Sequence, residues 1–323
     1  MLTGCARNPE NYSLTDTCMG TVCNVSVTGD KDCKDICEEV LTKGEVLEKD
    51  YLSRRLSSSE VFKINQSLGN EGEASVSPYI GDIIKRSEKI YMDSDETFDI
   101  TLGKLISLWN IDELADADMK DIKIPEDNEI ELAKADSGFD KIDLKDNTLC
   151  AEKGIVLDLG SVGKGLALDE AAKILKKSND VECAVVSFGG SIYTYGKKKD
   201  NERFKVGIVD PFNTSEIFLT LSVEGDTFIS TSGTYERFIE YDNKRYHHIL
   251  DPKTGFPADS GLVSVTVIAK DGYLSDALST ACLVLGKDKG LELADKYGAK
   301  VLFIDKDSNI ITNPAMDEHL INN

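Results

Sequence analysis

Apolar and polar positions in this chain follow several different periods. Residues 22–29, VCNVSVTG, alternate as a strand with one buried face does. Between 33 and 49, Ile36, Val40, Leu41 and Leu47 recur at helical spacing, and Ile80, Ile83, Ile84 and Ile90 predict a second helix over about 77–92. Residues 6–17 are polar and predict an irregular lead-in, while the acidic stretch 112–136, with Pro125, predicts a loop with short helical pieces. From 153 onwards the pattern changes. GIVLDLG predicts a strand running into a glycine-rich turn, and GLALDEAAKILKK (165–177) an amphipathic helix. Strands follow at 182–188, 203–209, 216–223 and 235–241, with Asp242-Asn243 as a hairpin turn into KRYHHIL. VSVTVIA (263–269) reads as a buried strand, and SDALSTACLVLG (275–286) as an apolar helix capped by Gly286. Last come strands near 299–304 and 309–312. Helices and strands mix without regular β-α alternation, which predicts an α+β fold. The organisation expected is a lead-in over 1–17 and one domain over 18–323.

With 37 basic and 58 acidic side chains, the chain carries a formal charge of −21, which argues against nonspecific binding to nucleic acid or to an anionic membrane surface. An anionic small ligand remains compatible, because a bound divalent cation inverts the local field. No run approaches 18 apolar residues, so no transmembrane helix is expected. LTGC at 2–5 matches the end of a bacterial lipoprotein signal, with Cys5 as the lipidated residue. It points to an extracytoplasmic, membrane-anchored location, with a cytoplasmic one as the alternative. The eight cysteines include no CxxC pair and are read as reduced, mostly buried thiols in preference to zinc ligands.

Candidate chemistry gathers in a few runs. In RYHHILDPKTGFP (245–257) two of the three histidines stand together before a turn, and His248 suits a general base near neutral pH. Asp276 and Thr280 are four apart on the predicted helix, so both oxygens can face one hard cation. Individually they also suit a helix-end charge and a backbone-bonded hydroxyl. DLGSVGKG (158–165) places Lys164 beside a helix start, where anions are favoured, although it matches neither GxxxxGK[ST] nor GxGxxG. TFDITLGKLISLWN (97–110) contains Phe98, Asp99 and the single Trp109, which suit either a core or the walls of a flat-ring site. In STSGTYERF (230–238), Ser232-Gly233 predicts a tight turn, and the run lacks the GxSxG of a hydrolase elbow.

Taken in order, MGT (19–21), SSSEVFKIN (57–65), TFDITLGKLISLW (97–109), DLGSVGKGLALD (158–169), SFGGSIYTYGK (187–197), TSGTYERF (231–238), RYHHILDPKTGFP and SDALSTACLVLG resemble the ApbE family of FAD:protein FMN transferases. The resemblance runs from 19 to about 304 and implies an α+β fold related to the T-fold. It also implies FAD as substrate, Mg²⁺ as cofactor, and a target flavoprotein whose Ser or Thr hydroxyl receives FMN as AMP leaves. Carried over by motif, Asp276, Thr280 and Ser161 are implied as metal ligands, Ser161 often through its carbonyl. Met19, Thr97, Phe98, Asp99, Asp158, Lys164 and the backbone near Leu250 are implied as FAD contacts, and His248 as the residue assisting hydroxyl attack.

The chain departs from the family pattern twice. Gly160-Ser161 stands where many members have GG or GA, and Arg54-Arg55 where an aromatic often meets the flavin. The same residues would also serve FAD hydrolysis to FMN and AMP. A non-catalytic FAD-binding lipoprotein is the reading from another class, and the joint presence of Asp276, Thr280 and His248 counts against it.

Overall fold

The computed structural model describes residues 9–30, 33–115 and 122–321. Its centre is an eight-stranded sheet of β1 (Glu10–Cys18), β2 (Thr21–Gly29), β3 (Val181–Phe188), β4 (Ser191–Gly196), β5 (Thr227–Gly233), β6 (Leu262–Ala269), β7 (Lys300–Asp305) and β8 (Ile310–Thr312). These strands lie side by side in chain order, each antiparallel to the next. Met19 and Gly20, at φ 52° and 65°, make the two-residue turn between β1 and β2. Two left-handed residues give such a turn the twist of its flanking strands.

Helices α1 (Cys33–Val46), α2 (Gly160–Lys177) and α3 (Gly272–Leu285) cover one face of the sheet. Their apolar stripes meet Val25, Val186, Phe188, Val265, Val267 and Val301 in the main core. On the other face Ile229, Ile268, Leu302 and Ile304 pack against a hairpin of Phe204–Val209 with Ile217–Val223. Because both faces are covered, β6 reads in sequence as a nearly unbroken apolar run. A smaller core around Trp109 joins Leu105, Ile130, Ile239 and Leu250.

The α2–α3 crossing sets the site. A methyl group on Gly165 would lie 2.1 Å from the Gly272 carbonyl oxygen, and one on Gly272 2.2 Å from that of Gly165. The two backbones therefore touch, which only glycine permits. Asp169 of α2 reinforces the contact by accepting hydrogen bonds from the N–H groups of Gly272 and Tyr273 at 2.7 and 3.1 Å. It thereby satisfies orphan donors at the start of α3.

Several sequence expectations change. Residues 10–17, expected to be irregular, belong to β1, whose Asn11, Ser13 and Thr15 side chains pair across the strand with Asn24, Ser26 and Thr28. GIVLDLG is extended but makes only an isolated bridge, Val156 to Leu102, and the glycine run from Gly160 forms the first turns of α2. The strands β4 and β5 were not anticipated, and Ser232-Gly233 ends β5 in place of a turn. Asp242-Asn243 is the predicted hairpin turn, with φ 51° and 58°. Among the described cysteines, five are buried, Cys183 is half-buried and Cys150 exposed. Cys5 lies outside the described residues, among which no helix is long and apolar enough to cross a membrane.

Candidate active site

Asp276 occupies the second turn of α3, where the glycine crossing presses it against α2, and it is 2% exposed. Its Oδ2 accepts from the Gly165 N–H at 2.8 Å, and its Oδ1 lies 3.4 Å from the Ser191 hydroxyl and 3.6 Å from Lys164 Nζ. A buried carboxylate needs such partners to remain charged. One turn on, Thr280 Oγ1 stands 3.3 Å from Ser232 Oγ, which also meets Ser279 Oγ at 2.7 Å. Ser161, half-buried, lies in the first turn of α2, one turn before Lys164. Carboxylate, hydroxyls and carbonyls are the donors offered here, a set suited to a hard cation. No cluster of three His, Cys, Asp or Glu side chains with metal-site spacing occurs among the described residues.

His247 and His248 have separate surroundings. His247 is buried, with Nε2 donating to the Ala258 carbonyl at 2.9 Å. His248 is half-buried, and both its backbone N–H and its Nδ1 reach the Arg237 carbonyl, at 3.1 and 3.2 Å. A carbonyl accepts only, so Nδ1 carries the proton and Nε2 presents its lone pair. Among the described residues nothing hydrogen-bonds that Nε2. Burial lowers the His248 pKa from its ordinary value; Asp112 opposes this, while Lys164 and Arg237 add to it. The ring is thus neutral at neutral pH. Arg237 itself donates to Asp112 Oδ1 at 3.2 Å and to the Gly20 carbonyl at 2.5 Å, tying the β1–β2 turn to the histidine.

Glu236 lies close enough to Lys164, Asp276 and Arg237 to feel their charges. Solvent reaches it, yet desolvation by the surrounding protein raises its pKa, with Lys164 opposing and Asp276 adding. Met19, half-buried, donates its N–H to Glu48 at 2.7 Å. Asp158 accepts from the Gly160 N–H at 2.7 Å through one oxygen and from Arg54 Nε at 2.5 Å through the other. Arg54 also donates to Ser107 at 2.9 Å.

The 97–99 turn is more closed than expected. Thr97 is buried with its hydroxyl donating to the Ser94 carbonyl at 2.8 Å. Asp99 accepts from the N–H and hydroxyl of Thr101, both at 2.7 Å, yet burial still raises its carboxyl to about 6. Phe98 and Trp109, each 1% exposed, do not wall an open ring site. Phe98 is in the main core, and Trp109 in the smaller one donates Nε1–H to the Gly255 carbonyl at 2.8 Å. Of the two alternatives that the sequence left for Phe98, its side chain takes the core one. Leu250 is buried too, and its backbone bridges to Pro257 across the DPKTG turn.

The ApbE family model matches residues 19–303. This chain belongs to the ApbE family. The FAD:protein FMN transferase of Vibrio cholerae is 30% identical over 312 residues, covering 95% of this chain and 91% of that protein. The FAD:protein FMN transferase of Treponema pallidum is 31% identical, covering 93% and 86%. The crystal structure of the ApbE protein from Thermotoga maritima superposes with a TM-score of 0.87 at 30% identity, over 97% of this chain and all of that one. The α+β expectation is thereby met by an ApbE-type fold.

Within this ApbE chain, sequence reading missed Asp112, Ser191, Glu236 and the role of Arg54. Glu236 and Arg237 lay inside the quoted TSGTYERF run, so the motif was a usable signal. Asp112 sits in an acidic stretch that looks like solvated surface, and only the fold brings it to Arg237 and Arg55, the latter at 3.4 Å.

Proposed function

We propose that this chain is an FAD:protein FMN transferase, moving the FMN half of FAD to a Ser or Thr hydroxyl of a target flavoprotein and releasing AMP, with Mg²⁺ as its metal. The observation that carries this reading is that Lys164 stands 3.6 Å from Asp276 and also acts electrostatically on a neutral His248 whose Nε2 is open. The names of the relatives support it. The donor set fits Mg²⁺: Asp276, Thr280 and Ser161 would hold it through oxygen atoms. When bound, it would supply charge neutralisation at the diphosphate.

The chain's own residues supply the rest. Lys164 offers a cation beside the start of α2, suited to a phosphate oxygen. His248 accepts the proton of the incoming hydroxyl at Nε2, while Arg237 holds the ring through Nδ1. Asp112 then faces the imidazolium that results, favouring its charge. The family motifs support Met19, Thr97, Phe98, Asp99, Asp158 and the backbone near Leu250 as FAD contacts. LTGC at 2–5 supports an extracytoplasmic location with Cys5 as lipid anchor.

Titrating Mg²⁺ against AMP release from FAD, in the presence of an acceptor flavoprotein domain, tests the metal assignment. Wild type should show saturable Mg²⁺ dependence, and Asp276→Ala should fall to background. Undiminished Mg²⁺-dependent AMP release by Asp276→Ala would refute the assignment.

A further inference from the structure

Cys18 closes β1 and Cys23 lies in β2, just across the Met19-Gly20 turn. In the strand register Cys18 faces Thr21 and Cys23 faces Asp16, so the two cysteines are diagonal neighbours on one sheet face. Their sulfurs are 3.1 Å apart. A disulfide needs about 2.05 Å, so closure requires a movement of roughly 1 Å. Other buried thiols are engaged differently: Cys37 reaches the Val25 carbonyl at 3.6 Å, and Cys282 that of Gly290 at 3.4 Å.

We infer that Cys18 and Cys23 form a redox-active dithiol, a modification site whose co-reactant is a low-molecular-weight disulfide. Cys18 keeps 7% exposure and ends the edge strand, whereas Cys23 has none, so the reagent reaches Cys18 first; contact with Cys23 raises the Cys18 pKa, so Cys18 must leave that contact before it ionises. Its sulfur attacks the reagent, forming a mixed disulfide and releasing one small thiol. Cys23 then attacks Cys18, forming the internal bond and releasing the second. The two protein thiols lose two electrons and two protons in total, and the reagent disulfide is reduced to two thiols. The product is a ring over residues 18–23. That ring encloses the turn whose Gly20 carbonyl binds Arg237 and whose Met19 N–H binds Glu48.

The test uses the full chain with oxidised and reduced glutathione as the redox pair. Native and urea-unfolded samples are equilibrated at fixed ratios, acid-quenched, alkylated and digested. Cleavage after Arg7 and Lys31 yields a peptide containing both Cys18 and Cys23 and no other cysteine. The expected result is loss of two hydrogens and both alkylation sites in that peptide, reversed by reduced glutathione. The equilibrium constant should favour the bond in the folded chain by at least about tenfold over the unfolded one. Two alkylated cysteines after native oxidation, glutathione adducts without the internal bond, or equal constants in both states would each overturn the proposal. The readout is independent of flavin transfer, so it succeeds or fails separately from the proposed activity.

Discussion

His247 and His248 are adjacent, yet one hydrogen-bonds within the protein through Nε2 and the other keeps Nε2 open. That difference favours His248 over His247 as the proposed base. Substituting His248→Gln should preserve the fold and lower the transfer rate by about 10²- to 10⁴-fold, the usual contribution of a positioned base. Because burial lowers the His248 pKa below its ordinary 6.5, the neutral form persists as pH falls through that value. The acid limb of kcat/KM attributable to this ring should therefore lie below pH 6.5; a limb at or above 6.5 that vanishes in His248→Gln would contradict the assignment. Arg54 is a second residue-scale case. Its guanidinium meets Asp158 with both side chains largely covered, 13% and 15% exposed. Arg54→Ala leaves that carboxylate without its cation and should cost about 1–3 kcal/mol, read by urea unfolding.

At the scale of elements, the crossing of α2 and α3 does the positioning. Gly165→Ala forces a methyl into the Gly272 carbonyl and also against Asp276 Cβ, 2.8 Å away. Separation of the helices should cost about 1–3 kcal/mol and remove AMP release together. An active, fully stable Gly165→Ala chain would show that the crossing does not set the site. Much of this level was legible in the sequence: α1, α3, β2, β3, β6 and the Asp242-Asn243 hairpin follow from periodicity and turn chemistry. The glycine run 160–165 misled because glycine normally weakens helices. Here the close approach of another backbone outweighs that propensity. β1 was hidden by its polar positions: one face carries side-chain hydrogen bonds to β2, and only Tyr12, Leu14 and Cys18 on the other meet the main core. The residues proposed to hold the metal could be named from motif, but the Asp112–Arg237–His248 connection spans 136 positions of sequence and no local pattern encodes it.

Across the whole molecule, an in-order antiparallel sheet carries helices and loops from distant segments to one region. Residues near 19, 54, 112, 158–165, 236–248 and 276–280 meet through shared hydrogen bonds and charges. In the proposed function this region transfers FMN to a protein hydroxyl. Incubation with FAD, Mg²⁺ and an acceptor flavoprotein domain, followed by tandem mass spectrometry of the acceptor, tests it most directly. One FMN on a single Ser or Thr, matched one-to-one by AMP and lost when that residue is changed to Ala, is the predicted result. AMP appearing with free FMN while a competent acceptor stays unmodified would contradict the account and make the chain an FAD hydrolase.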